Sequence, residues 1–270
     1  MVTSLLTERL DDAVAAGRGV LVLSAHLDDA VLSCGALLSG LAGRTPVAVA
    51  TVFTQAGPPP YTRAARLYLE QCAAGDAAAL YADRRREDVE VLTALGVEPV
   101  HLGAPDALFR RRTVPPSVAR LGRVVPEVVH RYPTYRFDIA QGWVSRGDRM
   151  LVDRLAADVR SLAYRMDAAL VLGPIGVGRH VDHLITRAVV QRQPERAVFY
   201  SDFPYDRWDS PPAGYLAAHR LTPVPWSRDL GARDALIAGY RTQVDALFPR
   251  GIPSAGPETY FMPADRTRER

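Results

Sequence analysis

The sequence predicts an α/β fold, with a mostly parallel sheet covered by helices on both faces, in one domain over residues 1–270. Three observations carry this prediction. Short continuous apolar runs rich in Val and Leu recur along the chain, as in strands buried on both faces. They alternate with segments of helical period, the order that a parallel sheet with crossover helices requires. The 270 residues, 48% hydrophobic and 23% charged, suffice for a core that needs no disulfide staples.

The elements follow in order. Val2 to Ala16 reads as an amphipathic helix with Leu5, Leu6, Leu10 and Val14 on one stripe, ended by Gly17 and Gly19. Gly19 to Ser24 (GVLVLS) is the first buried strand, and Asp29 to Leu41 a helix. Pro46 to Phe53 (PVAVATVF) is the second strand, and Thr54 to Thr62 (TQAGPPPYT) a turn-rich loop. Asp83 to Leu95 is a helix closed by Gly96, and Glu98 to Leu102 the third strand. Arg110 to Asp148 is the least regular stretch and reads as an insertion or lid. Asp148 to Tyr164 is a helix, Ala168 to Leu172 the fourth strand, His180 to Val190 a helix and Arg196 to Ser201 the fifth strand. Ala232 to Leu247 is a late helix, and residues 263–270 are a polar tail expected to fray.

Charge and cysteine content narrow the function classes. The formal net charge is +3, and every base is Arg. A GC-rich genome accounts for such usage, and no basic-aromatic module accompanies it, so a nucleic-acid partner is not expected. The absence of Lys excludes Schiff-base and P-loop chemistry. Cys34 and Cys72 cannot build a disulfide scaffold or a cysteine-based zinc site. Glu8, Arg9, Asp11 and Asp12 stand where a signal peptide would be apolar. No apolar run reaches the length of a membrane span. A cytoplasmic protein is expected.

In doubly wound sheets the site lies beyond the carboxyl ends of the strands. After the first strand comes Ala25-His26-Leu27-Asp28-Asp29, where His26 and Asp29, three apart, share a helix face if the chain turns helical there. After the fourth comes Gly173-Pro-Ile-Gly-Val-Gly-Arg179-His180-Val-Asp182-His183, with His180 and His183 again three apart. Each stretch alone also reads as helix capping by Asp28, Asp29 or Asp182 with incidental histidines. Their joint occurrence favours a metal site: three of these side chains could form a His₂Asp set with an open position, leaving others for acid and base work.

These residues resemble the PIG-L/LmbE-like zinc N-deacetylase family. Ala25–Asp29 (AHLDD) is similar to its (A/P)-H-P-D-D element, and Gly178–His183 (GRHVDH) to its G-H-P-D-H element. Arg84-Arg-Arg-Glu87-Asp88, His101-Leu-Gly-Ala-Pro-Asp106 followed by Arg110, Tyr200-Ser-Asp-Phe-Pro-Tyr205 and the Tyr240/Gln243 helix resemble its weaker motifs. The resemblance spans roughly Gly19 to Glu258. It implies a Rossmann-like three-layer α/β/α fold and a Zn²⁺ cofactor, with Fe²⁺ or Co²⁺ as other metals that suit the ligands. It implies His26, Asp29 and His183 as metal ligands and Asp28 as general base. His180 as imidazolium would hold the oxyanion, and Asp182 would orient His180. Arg84, Asp106 and Arg110 are the implied substrate-binding residues. Leu27 and Val181 replace the family's usual prolines, and Gly178 falls where some members place a pocket tyrosine, so no tyrosine role is carried over.

The expected activity is hydrolytic removal of an N-acetyl group from an N-acetylglucosamine-type moiety of a small metabolite or conjugate. Two other readings stand beside it: an amidase for a larger non-acetyl amide, and an inert α/β binding protein that retains the motifs. His101, His130 and His219 are expected to be structural, Glu87 to pack or pair, and Trp143, Trp208 and Trp226 to serve in core or rim packing.

Overall fold

The computed structural model describes residues 5–253 and 256–263. Along the chain come α1 (Leu5–Ala15), β1 (Gly19–Ser24), α2 (Asp29–Leu41), β2 (Val47–Gln55), α3 (Arg63–Gln71), α4 (Ala77–Leu95) and β3 (Glu98–Pro105). Then follow α5 (Pro116–Leu121), α6 (Arg149–Arg165), β4 (Ala168–Pro174), α7 (Val181–Val190) and β5 (Ala197–Tyr200). The chain ends with α8 (Ala213–His219), β6 (Leu221–Trp226), α9 (Leu230–Ile237), α10 (Arg241–Leu247) and β7 (Glu258–Pro263).

One seven-stranded sheet forms in the order β3-β2-β1-β4-β5-β7-β6. Strands β1 to β5 pair in parallel, and β7 and β6 finish one edge antiparallel. The apolar runs behave as strands covered on both faces. Leu21, Leu23, Ala48, Ala50, Val52 and Val171 enter one core, and Val20, Val22, Val47, Val49, Leu170 and Leu172 the other. The period-2 alternation of strand side chains thus feeds two hydrophobic layers. The expected three-layer α/β/α architecture is the one observed.

Several boundaries differ from the sequence reading, for identifiable reasons. The late helix is two helices, α9 and α10, broken at Gly239 and Tyr240. Tyr240 drops inward so that its hydroxyl donates to Asp88 at 2.9 Å, and Gly239 packs so close to Val91 that a Cβ there would lie 2.3 Å from its Cγ2. Helix α4 starts six residues early because Asp76 caps it, accepting the Ala79 N–H at 2.7 Å. Asp148 precedes α6 without capping it. Helices α3, α5 and α8 and strands β6 and β7 are additions to the sequence reading. Val2 to Ser4 of the first expected helix and residues 264–270 of the expected tail lie outside the described residues, while Pro263 ends β7.

Candidate metal centre

Strand β1 sits between β2 and β4. The chain winds outward through β2 and β3 on one side of β1 and through β4 and β5 on the other. The order reverses between β1 and β4, and side chains following those two strands meet in the crevice beyond their carboxyl ends. Residues His26–Asp29 and Val177–His183 both emerge there. The second loop needs its glycines: Gly176 and Gly178 have φ of 87° and 76°, and a Cβ on Gly178 would lie 2.7 Å from Tyr205 Cδ1.

His26, Asp29 and His183 present ligand atoms that all lie within 4.8 Å of one another. Asp29 Oδ2 is 3.1 Å from His26 Nδ1 and 3.3 Å from His183 Nε2. Two ligand atoms on a tetrahedral Zn²⁺, each about 2.0–2.1 Å away, stand about 3.3 Å apart. The outer nitrogens of both rings are anchored. His26 Nε2 faces Asp182 Oδ2 at 3.2 Å, and His183 Nδ1 faces Asp202 Oδ1 at 2.5 Å. Protons donated to those two carboxylates leave the inner lone pairs of both rings turned toward Asp29. Among the described residues His183 Nε2 is buried without a hydrogen-bond partner, which suits a metal-ligand atom.

The electrostatics point the same way. Burial opposes charge on His26, yet Asp182 and Asp29 hold its pKa well above the ordinary value. Burial likewise opposes charge on His183, and Asp29 and Asp202 raise it. Asp29 stays below the usual carboxylate range because His183 and His26 outweigh its burial. The cluster favours positive charge at its centre, whether as protons or as a metal ion. The donor set therefore fits Zn²⁺. A second group, His26, His180 and Asp182, is also close enough, but its carboxylate is committed elsewhere. Asp182 Oδ2 accepts the Ala107 N–H at 2.9 Å as well as facing His26, and Oδ1 pairs with Arg110.

Asp28 makes no side-chain capping bond at the start of α2, so capping does not explain it. Burial and the adjacent Asp29 charge push its carboxyl up to about 6, against the pull of Arg84. Arg84, only 4% exposed, donates from Nη1 to the Tyr68 hydroxyl at 2.6 Å and places Nη2 3.9 Å from Asp28 Oδ1. Asp106 accepts the Tyr81 hydroxyl at 2.6 Å and caps a short helical turn through the Leu108 N–H at 2.9 Å. Asp28, Tyr68, Arg84 and Asp106 line a cavity of about 450 Å³ together with His180, Tyr135, Tyr205 and Gln243.

Three sequence expectations change here. His180 was expected as imidazolium, but its Nδ1 accepts the Asp182 backbone N–H at 3.2 Å, which requires a bare lone pair. Burial beside His26 holds its pKa well below the ordinary value. Asp182 was expected to orient His180, whereas its carboxylate binds His26 and Arg110. Arg110 was expected to contact substrate, but it lies behind the cavity wall. Nη1 bonds Asp148 at 2.9 Å, Nη2 bonds Asp182, and Nε and Nη2 reach the Pro105 carbonyl at 3.2 and 3.0 Å. Tyr132 and Arg131 also converge on Asp148, at 2.6 and 3.1 Å.

The remaining expectations concern residues around the site. Glu87 pairs with Thr242, His101 with Asp88, and His130 with the Pro126 carbonyl. Trp226 is buried, and Trp143 and Trp208 are exposed away from the cavity lining. Asp202, Tyr135 and Tyr205 were assigned no role in the sequence. Asp202 and Tyr205 lie within the quoted Tyr200–Tyr205 motif, which was the available signal. Tyr135 lies in the irregular 110–148 stretch and gave none.

Fold and site define a class: a metal-dependent hydrolase built at the switch point of a doubly wound sheet. The family model described as PIG-L, GlcNAc-PI de-N-acetylase, matches residues 21–193, and the chain belongs to this family. Among solved structures, the chain is similar to the zinc-inhibited form of teicoplanin deacetylase, with 25% identity, a TM-score of 0.69 and coverage of 92% of this chain and 99% of that one. A deacetylase–teicoplanin complex gives 27% identity, a TM-score of 0.69 and coverage of 90% and 96%. A deacetylase of an antimicrobial pseudoaglycone gives 25% identity, a TM-score of 0.65 and coverage of 93% and 98%. No curated protein sequence matches the chain.

Proposed function

We propose that this protein is a zinc-dependent N-deacetylase that hydrolyses the acetamide of an N-acetylglucosamine-type sugar, carried on a small metabolite or conjugate, to acetate and a free amine. One observation carries the reading: the convergence of His26, Asp29 and His183, each ring braced by a buried carboxylate, beside the uncapped Asp28. The family and the deacetylase neighbours support the same chemistry.

His26 Nδ1, an Asp29 oxygen and His183 Nε2 would hold the metal. Bound there, Zn²⁺ supplies Lewis acidity, polarising the amide carbonyl and lowering the pKa of water to about 7. Asp28 takes the proton from the attacking water. A carboxyl raised to about 6 can bind that proton near neutral pH and return it to the departing amine nitrogen. His180 carries its proton on Nε2 and donates it as a neutral hydrogen bond to the developing oxyanion. Asp182 and Asp202 fix the two ligand rings. Arg110 is a positioning residue that holds Asp182 against His26, and Arg84 and Asp106 bind hydroxyls or an anionic group of the substrate. Segment 110–148 is an insertion that supplies Tyr135 to the wall. Among the described residues no helix is long and apolar enough to cross a membrane. Both cysteines are free, in keeping with action in a reducing cytoplasm.

The test separates ligand from base. Asp28→Ala is expected to abolish turnover and leave one zinc per chain by metal analysis, whereas His183→Ala is expected to lose the metal. Equal metal loss in both variants would overturn the assignment.

A further inference from the structure

Away from the metal centre, a second cavity of about 210 Å³ lies between α2, α9, the loop after β5 and the start of β7. Arg233 of α9 forms part of its wall. This arginine is 2% exposed, yet its Nε and Nη2 have no hydrogen-bond partner among the described residues. Asp234 Oδ1 stands 4.0 Å from Nε, beyond hydrogen-bond reach. Glu258, also on the wall, is committed elsewhere: its oxygens accept the Ala36 and Leu37 N–H groups at 2.6 and 3.1 Å and the Tyr260 hydroxyl at 2.8 Å.

A buried guanidinium with unmade donors is costly unless a ligand supplies the acceptors. Its placement is nonetheless firmly built. Gly35 lets α9 approach α2, since a Cβ there would lie 2.9 Å from Arg233 Cγ and 3.3 Å from its Cα. The Phe203 ring lies 4.8 Å below the guanidinium carbon and holds its plane. Further donors face the same space. Ser33 Oγ already accepts the Phe203 N–H at 3.1 Å, which leaves its own proton to give. Ser201 is buried on the wall, and Arg207 stands exposed at the rim beside the equally exposed carboxylate of Asp206.

We propose that this cavity binds a small oxyanion, a carboxylate or a phosphate group, on the Arg233 guanidinium. The planar fork of arginine matches two oxygens of such a group, and the serine hydroxyls and Arg207 complete its shell. The inference does not rest on the deacetylase reading. The two sites do share one loop: Ser201 and Phe203 face this cavity, while Asp202 between them holds His183 and accepts the Gly176 and Val177 N–H groups, both at 2.8 Å. A bound oxyanion therefore ties α9 to the segment that orients a metal ligand.

Calorimetric titration of the zinc-loaded protein with inorganic phosphate and with acetate, at constant ionic strength with chloride as control, tests this and separates the two sources. For at least one of the two anions a saturable site is expected beyond any binding at the metal centre, where acetate is the proposed product, and none for chloride. Arg233→Met, which keeps the packed stem, is expected to weaken binding about tenfold or more, while Arg84→Met in the catalytic cavity leaves it unchanged. Should Arg233→Met fail to fold, Ser201→Ala and Arg207→Gln are each expected to weaken binding severalfold. The proposal is overturned if no saturable site is found beyond that of the metal centre, if that second site survives Arg233→Met or is lost in Arg84→Met, or if Ser201→Ala and Arg207→Gln both bind like the parent.

Discussion

Asp202 is where the metal centre is most exposed to a single change. One of its oxygens lies 2.5 Å from His183 Nδ1, and the other accepts the N–H groups of Gly176 and Val177. In Asp202→Asn one oxygen remains for these partners. If it stays with the two backbone N–H groups, the new amide NH₂ faces His183 Nδ1 and forces the ring proton onto Nε2, the atom that should carry the lone pair. If the amide turns the other way, two buried N–H groups face an NH₂ and lose their acceptor. Either outcome misplaces a ligand or its loop. Loss of such an outer carboxylate typically lowers metal affinity about 10- to 100-fold, or about 1.4–2.7 kcal/mol. Zinc affinity measured by competition with a chromogenic chelator is the assay, with circular dichroism to verify folding. A folded Asp202→Asn protein that binds zinc as tightly as the parent would refute the claim that Asp202 orients His183.

Two other outcomes are expected. Arg110→Met leaves Asp148 and Asp182 buried beside one another without their shared cation, so denaturant unfolding should show a loss of about 3–5 kcal/mol; a loss below about 1 kcal/mol would mean that Arg131 and Tyr132 suffice. Burial pushes Glu258 up to about 7 from 4.5. A carboxyl raised in the folded state costs nothing below about pH 4.5, and its penalty grows to at most about 3 kcal/mol as pH rises to about 7. Relative to the parent, Glu258→Gln should therefore gain stability progressively across that window, and parallel pH–stability curves would contradict it.

What the sequence made legible follows from which interactions are local. Four of the five parallel strands, β1, β2, β4 and β5, announce themselves because burial on both faces demands continuous apolar runs, whereas β3 is a half-buried edge strand. Strand β6 does not, since LTPVPW carries Pro223 and Pro225 two apart. That spacing suits an edge strand paired only with β7, where the proline positions need no ladder donor on the open side, but it reads as a loop. Helix α3 is a short amphipathic segment behind three prolines, and its Thr62 cap, accepting the Ala65 N–H at 3.2 Å, is visible only with the fold in hand. The His26/Asp29 and His180/His183 pairs are legible because three-residue spacing is a local signal. Their outer partners are not. Asp182 reaches His26 from 156 positions away, and Arg110 reaches Asp182 from 72. No spacing rule joins them, so the sequence could only guess that Asp182 served its neighbour His180.

Acetate release is the most direct test of the central claim. The zinc-loaded protein, incubated with an N-acetylglucosaminide bearing an aromatic aglycone, should release acetate and free amine in equal amounts, measured enzymatically and by an amine-reactive probe. Removing the metal with a chelator should stop the release, and zinc should restore it. Full turnover in the chelated protein, or by Asp28→Ala, would contradict the account.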